Sequence, residues 1–214
     1  MAAFGALAAL VASGAATQLD QWAADHAMPL AGASSSPPTA LESIVPLLHA
    51  PFHPIGVGVA VIVTLPGQVV FSLLLVAVAG WRLWTRGQVE AAVCLTAAWF
   101  VAVAVELVFR HTLTRQPLYR HGVHLIGFDS SWPSGHALRC TLVAAALATA
   151  WPRLRVPLAI WLAAVVVLLV VGGLHTPTDV VGGLLLATSA VAVAIAVERS
   201  GRLRRRAGLW LRRS

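Results

Sequence analysis

Long apolar runs separated by short polar segments divide the 214-residue chain into a series of predicted helices. The runs cover residues 1–16, 55–80, 88–109, 135–151, 156–174 and 177–197. None alternates polar and apolar positions as a half-buried strand would, and most approach or exceed the ~18–20 residues that cross a bilayer. The pattern predicts an all-α, polytopic membrane protein with six transmembrane helices in a single bundle, residues 1–214 forming one domain around a core at 55–197. Residues 1–16 have no basic start, which favours a first span over the alternative, a signal peptide. Residues 17–54 mix Asp20, Trp22, Asp25 and His26 with several prolines, Glu42, His49 and His53, which predicts an interfacial loop with short amphipathic pieces. Its histidines lack metal-ligand spacing and read as solvated surface. Pro66-Gly67 predicts a kink inside the second run, and Trp81, Arg82, Trp84 and Arg86 form an interfacial belt at its end.

Composition supports the membrane reading. Apolar residues make up 58% of the chain and charged residues 11%, with a mean hydropathy of +0.82. A soluble domain averages about 45–50% and about 25% respectively. The formal charge is +7, and all 15 basic residues are arginine. These arginines cluster in short loops beside the predicted spans, which points to membrane topology and away from nucleic acid. Alanine, valine and arginine enrichment without lysine fits a bacterial, high-GC genome. Cys94 and Cys140 fall inside apolar runs, without CxxC spacing, and read as packing residues.

Arginine placement also sets an orientation. With six spans and both termini cytoplasmic, eleven arginines fall inside: Arg82, Arg86, Arg153, Arg155 and seven in the basic tail at 198–214. Four fall outside: Arg110, Arg115, Arg120 and Arg139. That asymmetry puts segments 17–54, 110–135 and 174–179 on the extracytoplasmic face of a cell membrane. The outer arginines oppose the topology rule, which suggests an anionic ligand; headgroup contact is the plainer alternative, above all for Arg120.

Two polar turns on that face carry candidate chemistry. The first is Trp132-Pro133-Ser134-Gly135-His136, and the second is Gly173-Leu174-His175-Thr176-Pro177-Thr178-Asp179. Phosphoryl transfer needs cations and N–H donors around an anionic phosphoryl group, an in-line nucleophile and an acid for the leaving oxygen. Ser134 and Gly135 open an apolar helix whose N–H groups are an anion site, and glycine lets a ligand approach closely. His136 could donate a proton. The four-residue spacing from His175 to Asp179 would put both on one helical face if the helix continued across Pro177, leaving Asp179 to hold one ring nitrogen while the other attacks. Pro177 is well placed near a helix start, with Thr176 as a candidate cap; the alternative makes His175 and Asp179 an ordinary cap plus an interfacial polar pair. Glu106, four residues before Arg110, reads as a partner holding that arginine in place, in preference to a catalytic group. Trp132 reads as an interfacial anchor at the pocket mouth. Asp129, Ser130 and Ser131 are placed to shape the pocket, and His111, His121 and His124 read as loop surface.

On these residues the chain resembles the type 2 phosphatidic acid phosphatase superfamily, membrane relatives of vanadium haloperoxidases, over roughly residues 55–197. That family carries the motifs KxxxxxxRP, PSGH and SRxxxxxHxxxD. The second motif is intact at Pro133-Ser134-Gly135-His136. The third keeps His175 and Asp179, followed by Val180-Val181-Gly182-Gly183. The resemblance implies that His175 is a nucleophile forming a phosphohistidine, that Asp179 orients it, and that His136 serves as acid and then base. For the first motif, Arg110 stands for the lysine and Arg115 for the second cation, although the chain reads Arg115-Gln116-Pro117 and arginine is no simple replacement for lysine. Where the third motif has Ser-Arg, this chain has Leu168-Leu169. Arg139, one helical turn beyond His136, is the candidate to restore the missing phosphate-binding charge; a snorkelling arginine is the alternative.

The resulting expectation is metal-independent dephosphorylation of a membrane lipid phosphate or diphosphate, with no cofactor. Polyprenyl phosphates and diphosphates are favoured; phosphatidic acid and phosphatidylglycerol phosphate are the other substrate classes. Lipid phosphotransfer is the related alternative. A catalytically silent lipid-phosphate binder fits the missing arginine but leaves the two histidines unexplained. A transporter would need inverted repeats, which are absent from the sequence, and the HExxH pattern of a common zinc hydrolase class is also absent.

Overall fold

The computed structural model describes residues 1–28 and 62–211, with side chains through residue 201. The rest of the predicted loop, including Glu42, His49 and His53, lies outside the described residues, as do the start of the second predicted span and the last three residues of the tail. The described chain is helical apart from turns and one short hairpin. Its elements are α1 (Ala2–Ala12), α2 (Thr17–His26), α3 (Val69–Thr85), α4 (Val89–Thr112), β1 (Tyr119–Arg120), β2 (Val123–His124), α5 (Gly135–Ala150), α6 (Arg155–Val171) and α7 (Pro177–Leu211). The hairpin pairs β1 and β2 antiparallel, in the loop between α4 and α5.

Helix α5 is the centre, packed against α3, α4, α6 and α7. Its sequence explains the position. Alanines 137, 144, 146 and 150 on α5 are buried, and so are Leu138, Leu142 and Val143, so thin side chains let neighbouring helices close around it. Gly183 of α7 allows the closest approach: a Cβ there would stand 3.1 Å from both Ala137 Cβ and Leu138 N. By contrast α6 fully buries only Val165 and Leu169, packs Trp161, Leu162, Val166 and Val170 partly against the core, and exposes Val156, Ile160, Val167 and Val171. That exposed apolar surface is compatible with a helix facing lipid, because water would penalise it.

Among the described residues three helical segments are long and apolar enough to cross a membrane: Val89–Thr112, Pro152–Val171 and Pro177–Gly201. Helices α3 and α5, with 17 and 16 residues, are shorter apolar helices. The predicted first span takes another form. Helix α1 has 11 residues and bends by 78° into α2, so the described residues hold a fourth segment of sufficient length if the bent pair counts as one broken span. At ~1.5 Å per residue, α1 alone is too short for a ~30 Å hydrocarbon core.

Other expectations change with tertiary contact. Residues 17–26 form a short helix, in keeping with the amphipathic pieces predicted for this interfacial loop, but its Asp20 is completely buried. Pro66-Gly67 breaks the second run: Leu65–Gly67 form a 3₁₀ turn, Gln68 is extended, and α3 starts afresh at Val69. Trp132 is 1% exposed, stacked on Phe4 and edge-on to Phe109, instead of anchoring at an interface. The basic tail continues α7 without a break as far as Leu211. Cys94 and Cys140 are free thiols, as their positions predict.

Candidate active site

The two polar turns meet at one end of the bundle. Ser134 caps α5 by accepting the Ala137 N–H at 3.2 Å, and its own N–H donates to the Asp179 carbonyl at 2.9 Å. The PSGH turn is therefore tied by backbone to the first turn of α7. This differs from the expectation that the Ser134 N–H would face phosphate, because the neighbouring helix takes that donor. The Gly135 amide, in the first turn of α5, belongs to the helix end where N–H groups have no intrahelical acceptor.

The start of α7 follows the predicted cap. Asp179 N–H donates to Thr176 Oγ1 at 3.3 Å, and the Thr176 N–H donates back to Asp179 Oδ2 at 3.0 Å. This is a reciprocal capping box with aspartate at the third position and Pro177 at the first. The helix begins at Pro177, so His175 precedes it and does not share a helical face with Asp179. The turn brings them together in another way: α6 ends at Val171, Gly173 takes φ +68°, and the His175 N–H donates to the Leu169 carbonyl at 3.0 Å. His175 Nδ1 then stands 3.6 Å from Asp179 Oδ2 and has no hydrogen-bond partner among the described residues. That separation is an ion-pair distance, longer than a hydrogen bond; such contacts often tighten only when substrate binds.

Across the gap lies His136, its ring centroid 6.0 Å from that of His175. Gln68 fixes it from the other side, with its side-chain nitrogen 3.3 Å from His136 Nε2. Gly67 makes that contact sterically possible, since a Cβ there would lie 2.8 Å from His136 Cδ2 and 3.0 Å from Cys140 Sγ. The broken second run thus supports the site. Gln68 was not among the predicted site residues; glutamine inside an apolar run was the available signal.

The predicted cations occupy three different situations. Arg110 is the most open, its side chain 38% exposed, with Nε 3.3 Å from the Ser130 carbonyl and Nη1 3.4 Å from Glu106 Oε1. Arg139 is nearly enclosed: Nη1 lies 2.6 Å from Glu106 Oε2 and Nε donates to the Gly67 carbonyl at 2.5 Å. Glu106 is 0% exposed and holds both arginines, a larger part than steadying Arg110 alone. Gly135 has no Cβ where the Arg139 guanidinium passes, since one would stand 2.5 and 2.7 Å from its two terminal nitrogens. What lies close against Gly135 is therefore this ion pair.

Arg115 departs most from expectation. Its side chain is 3% exposed and clamped between Asp179 Oδ1 at 2.8 Å and Asp20 Oδ2 at 2.6 Å. With both terminal nitrogens on carboxylates, it serves the network behind His175 and not an open phosphate cradle. Ser131, expected near the pocket, has Oγ 2.5 Å from Asp179 Oδ2. Asp179 thus accepts hydrogen bonds from three residues, Arg115, Ser131 and Thr176, with His175 3.6 Å away. Leu169, at the family's arginine position, is completely buried against Ala137, Cys140, Val165 and Val180. Arg139 instead reaches α4 and the 65–67 turn, so the two positions have different neighbours. His111 and His121 are exposed, as expected; His124 pairs with Asp129 at 3.0 Å. Among the described residues no group of three or more His, Cys, Asp or Glu side chains stands close enough to hold a metal.

An imidazole with a carboxylate beside it, a second imidazole opposite, and buried guanidiniums nearby match the kinds of group that phosphoryl transfer requires. In comparison with known families, residues 91–201 match the model described as PAP2 superfamily. No curated protein and no solved structure matches the chain.

Proposed function

Because the chain belongs to the PAP2 superfamily, whose members are phosphatases acting on phosphate esters, we propose that it dephosphorylates a membrane lipid phosphate or diphosphate through a phosphohistidine on His175. The observation that carries this reading is the pair of imidazoles facing each other at 6.0 Å, with Asp179 beside only one of them. That asymmetry supports a division of roles. Asp179 accepts from His175 Nδ1–H, so the Nε2 lone pair is free to attack phosphorus. The bond from phosphorus to the leaving oxygen breaks as His136 gives that oxygen a proton. In the second half, His136 takes a proton from water, the hydroxyl oxygen bonds phosphorus, and the P–N bond breaks to return His175 and inorganic phosphate. No metal or other cofactor enters these steps.

Arg110, with the greatest exposure of the three predicted cations, is the first contact for the phosphate. Arg139 adds charge from behind, beside the Gly135 amide. The arginine asymmetry favours an extracytoplasmic site with both termini inside the cell, in six spans if the bent α1–α2 pair forms one crossing and the short helices α3 and α5 cross a locally thin or tilted region. An outward site and high-GC composition favour polyprenyl phosphates or diphosphates over phosphatidic acid and phosphatidylglycerol phosphate.

The test is phosphate release by purified protein in detergent with EDTA. A polyprenyl diphosphate, a polyprenyl monophosphate and phosphatidic acid are each compared with His175→Ala. Release that disappears in the variant supports the reading and ranks the substrates. Binding of a lipid phosphate without release from any of them would favour a silent binder, or a transferase lacking its acceptor.

A further inference from the structure

Asp20 lies on α2, far outside the residues matched by the family model, yet it is 0% exposed. Its carboxylate makes three polar contacts with partners more than ninety residues away. Oδ2 is 2.6 Å from Arg115 Nη2 and 2.5 Å from Thr178 Oγ1, while Oδ1 accepts the Thr178 N–H at 3.2 Å. Arg115 passes the connection on to Asp179 at 2.8 Å, and Asp179 stands beside His175. The order is Asp20, Arg115, Asp179, His175, all buried.

Counting charges along this row shows what Asp20 adds. Asp179 and Arg115 alone would sum to zero, and His175 would face a neutral pair. With Asp20 ionised against the same guanidinium, the row carries one net negative charge on the Nδ1 side of His175. Bonding of Nε2 to phosphorus moves positive charge onto the ring, so a net negative group behind it favours that step and a neutral pair does not. Low-dielectric surroundings strengthen the effect. A simple helix cap would need one acceptor for the Thr178 N–H; it would not require a carboxylate oxygen on a guanidinium already paired with Asp179.

We propose that Asp20 is a positioning residue for the reaction, a charge-balancing carboxylate supplied by the N-terminal helix that keeps Arg115 from neutralising Asp179. It touches neither substrate nor the reacting nitrogen and acts through Arg115. The inference rests on the phosphohistidine reading of His175. It makes α2 part of the catalytic unit although the family match begins only at residue 91.

The experiment compares four full-length proteins: wild type, Asp20→Asn, Asp20→Glu and the double variant Asp20→Asn/Arg115→Gln. Each is measured for kcat, KM and single-turnover formation of the phosphoenzyme, using whichever lipid phosphate the wild type hydrolyses fastest. Asp20→Asn is expected to lower kcat and phosphoenzyme formation by about tenfold to a hundredfold, the scale on which outer partners of functional histidines act, with KM changed less than about twofold. Asp20→Glu keeps the charge and is expected to retain more activity than Asp20→Asn. The double variant is the decisive one. It removes one negative and one positive charge, leaves Asp179 as the single net charge, and should regain most of the rate lost in Asp20→Asn.

A double variant as slow as Asp20→Asn, or slower, would overturn the proposal and leave Asp20 a structural residue. So would Asp20→Glu no better than Asp20→Asn. Should Asp20→Asn not fold, the charge-matched double variant still decides, by having or lacking near-wild-type kcat. Wild-type protein without phosphatase activity would remove the underlying reading and this inference with it, whereas an active wild type, a dead His175→Ala and an unaffected Asp20 series would remove this inference alone.

Discussion

Replacing Glu106 by glutamine tests whether the buried carboxylate between Arg110 and Arg139 organises the site. Glu106 is 0% exposed, and the Arg139 side chain is 7% exposed. Glutamine keeps the shape but leaves the Arg139 guanidinium with no counter-ion among the partners it has now, only the Gly67 carbonyl. Removing one partner of a buried ion pair costs about 3–5 kcal/mol, chiefly because the other charge stays buried. Arg110 is 38% exposed and 3.4 Å away, so its share is that of a solvated pair, about 0–1 kcal/mol. Glutamine can still accept a hydrogen bond, which favours the low end, about 3 kcal/mol. For a chain of this size each kcal/mol lowers Tm by about 2–4 °C, so the expected drop is about 6–12 °C. Tryptophan fluorescence during heating in detergent reads it directly, with eight tryptophans as reporters. The double variant Glu106→Gln/Arg139→Leu should regain most of the stability, since it removes both charges, while losing phosphate release. A Tm shift within about 2 °C for Glu106→Gln, or a double variant less stable than the single one, would refute the claim that this ion pair is buried and matched.

Two further substitutions probe the scaffold around the histidines. Gly67→Ala places a methyl group where His136 Cδ2 and Cys140 Sγ stand; displacing His136 by about 1 Å should cost roughly a hundredfold in kcat with little change in lipid binding, and wild-type kcat would contradict the packing. Leu169→Arg, which restores the family's residue, should destabilise the protein and fail to raise activity, because Leu169 is completely buried among apolar side chains; a stable and faster enzyme would show that the missing arginine is a simple loss.

Much of this was legible from local pattern. The helical class follows from the apolar runs, and α7 opens where Thr176, Pro177 and Asp179 announce a capping box. His136, His175 and Asp179 converge because each lies at the edge of an apolar run that the bundle brings to the same end. Tertiary partners were not legible. Asp20 looks like any polar residue in a loop until Arg115 and Thr178, ninety-five and 158 positions later, close around it. Arg115 could be read as a phosphate ligand only while its two carboxylates were unknown. Trp132 has the composition of an interfacial anchor, and only the packing of Phe4 and Phe109 against it makes it core. Hydropathy also overstated the first two runs: 1–16 contains a helix of 11 residues with a sharp bend after it, and Pro66-Gly67 ends a helix where a kink was expected. Apolar composition reports what a segment is buried in. It does not report whether the backbone stays continuous.

The most direct test of the central claim is to trap the phosphoenzyme. Wild-type protein and His136→Ala are mixed with a lipid phosphate labelled on the transferred phosphoryl group, quenched in alkali within milliseconds to seconds, digested and mapped. The account places an alkali-stable, acid-labile label on the peptide containing His175 in the wild type, forming and decaying more slowly in His136→Ala because both half-reactions have lost their proton carrier, and absent from His175→Ala. Label on any other residue, or rapid phosphate release by His175→Ala, would contradict it.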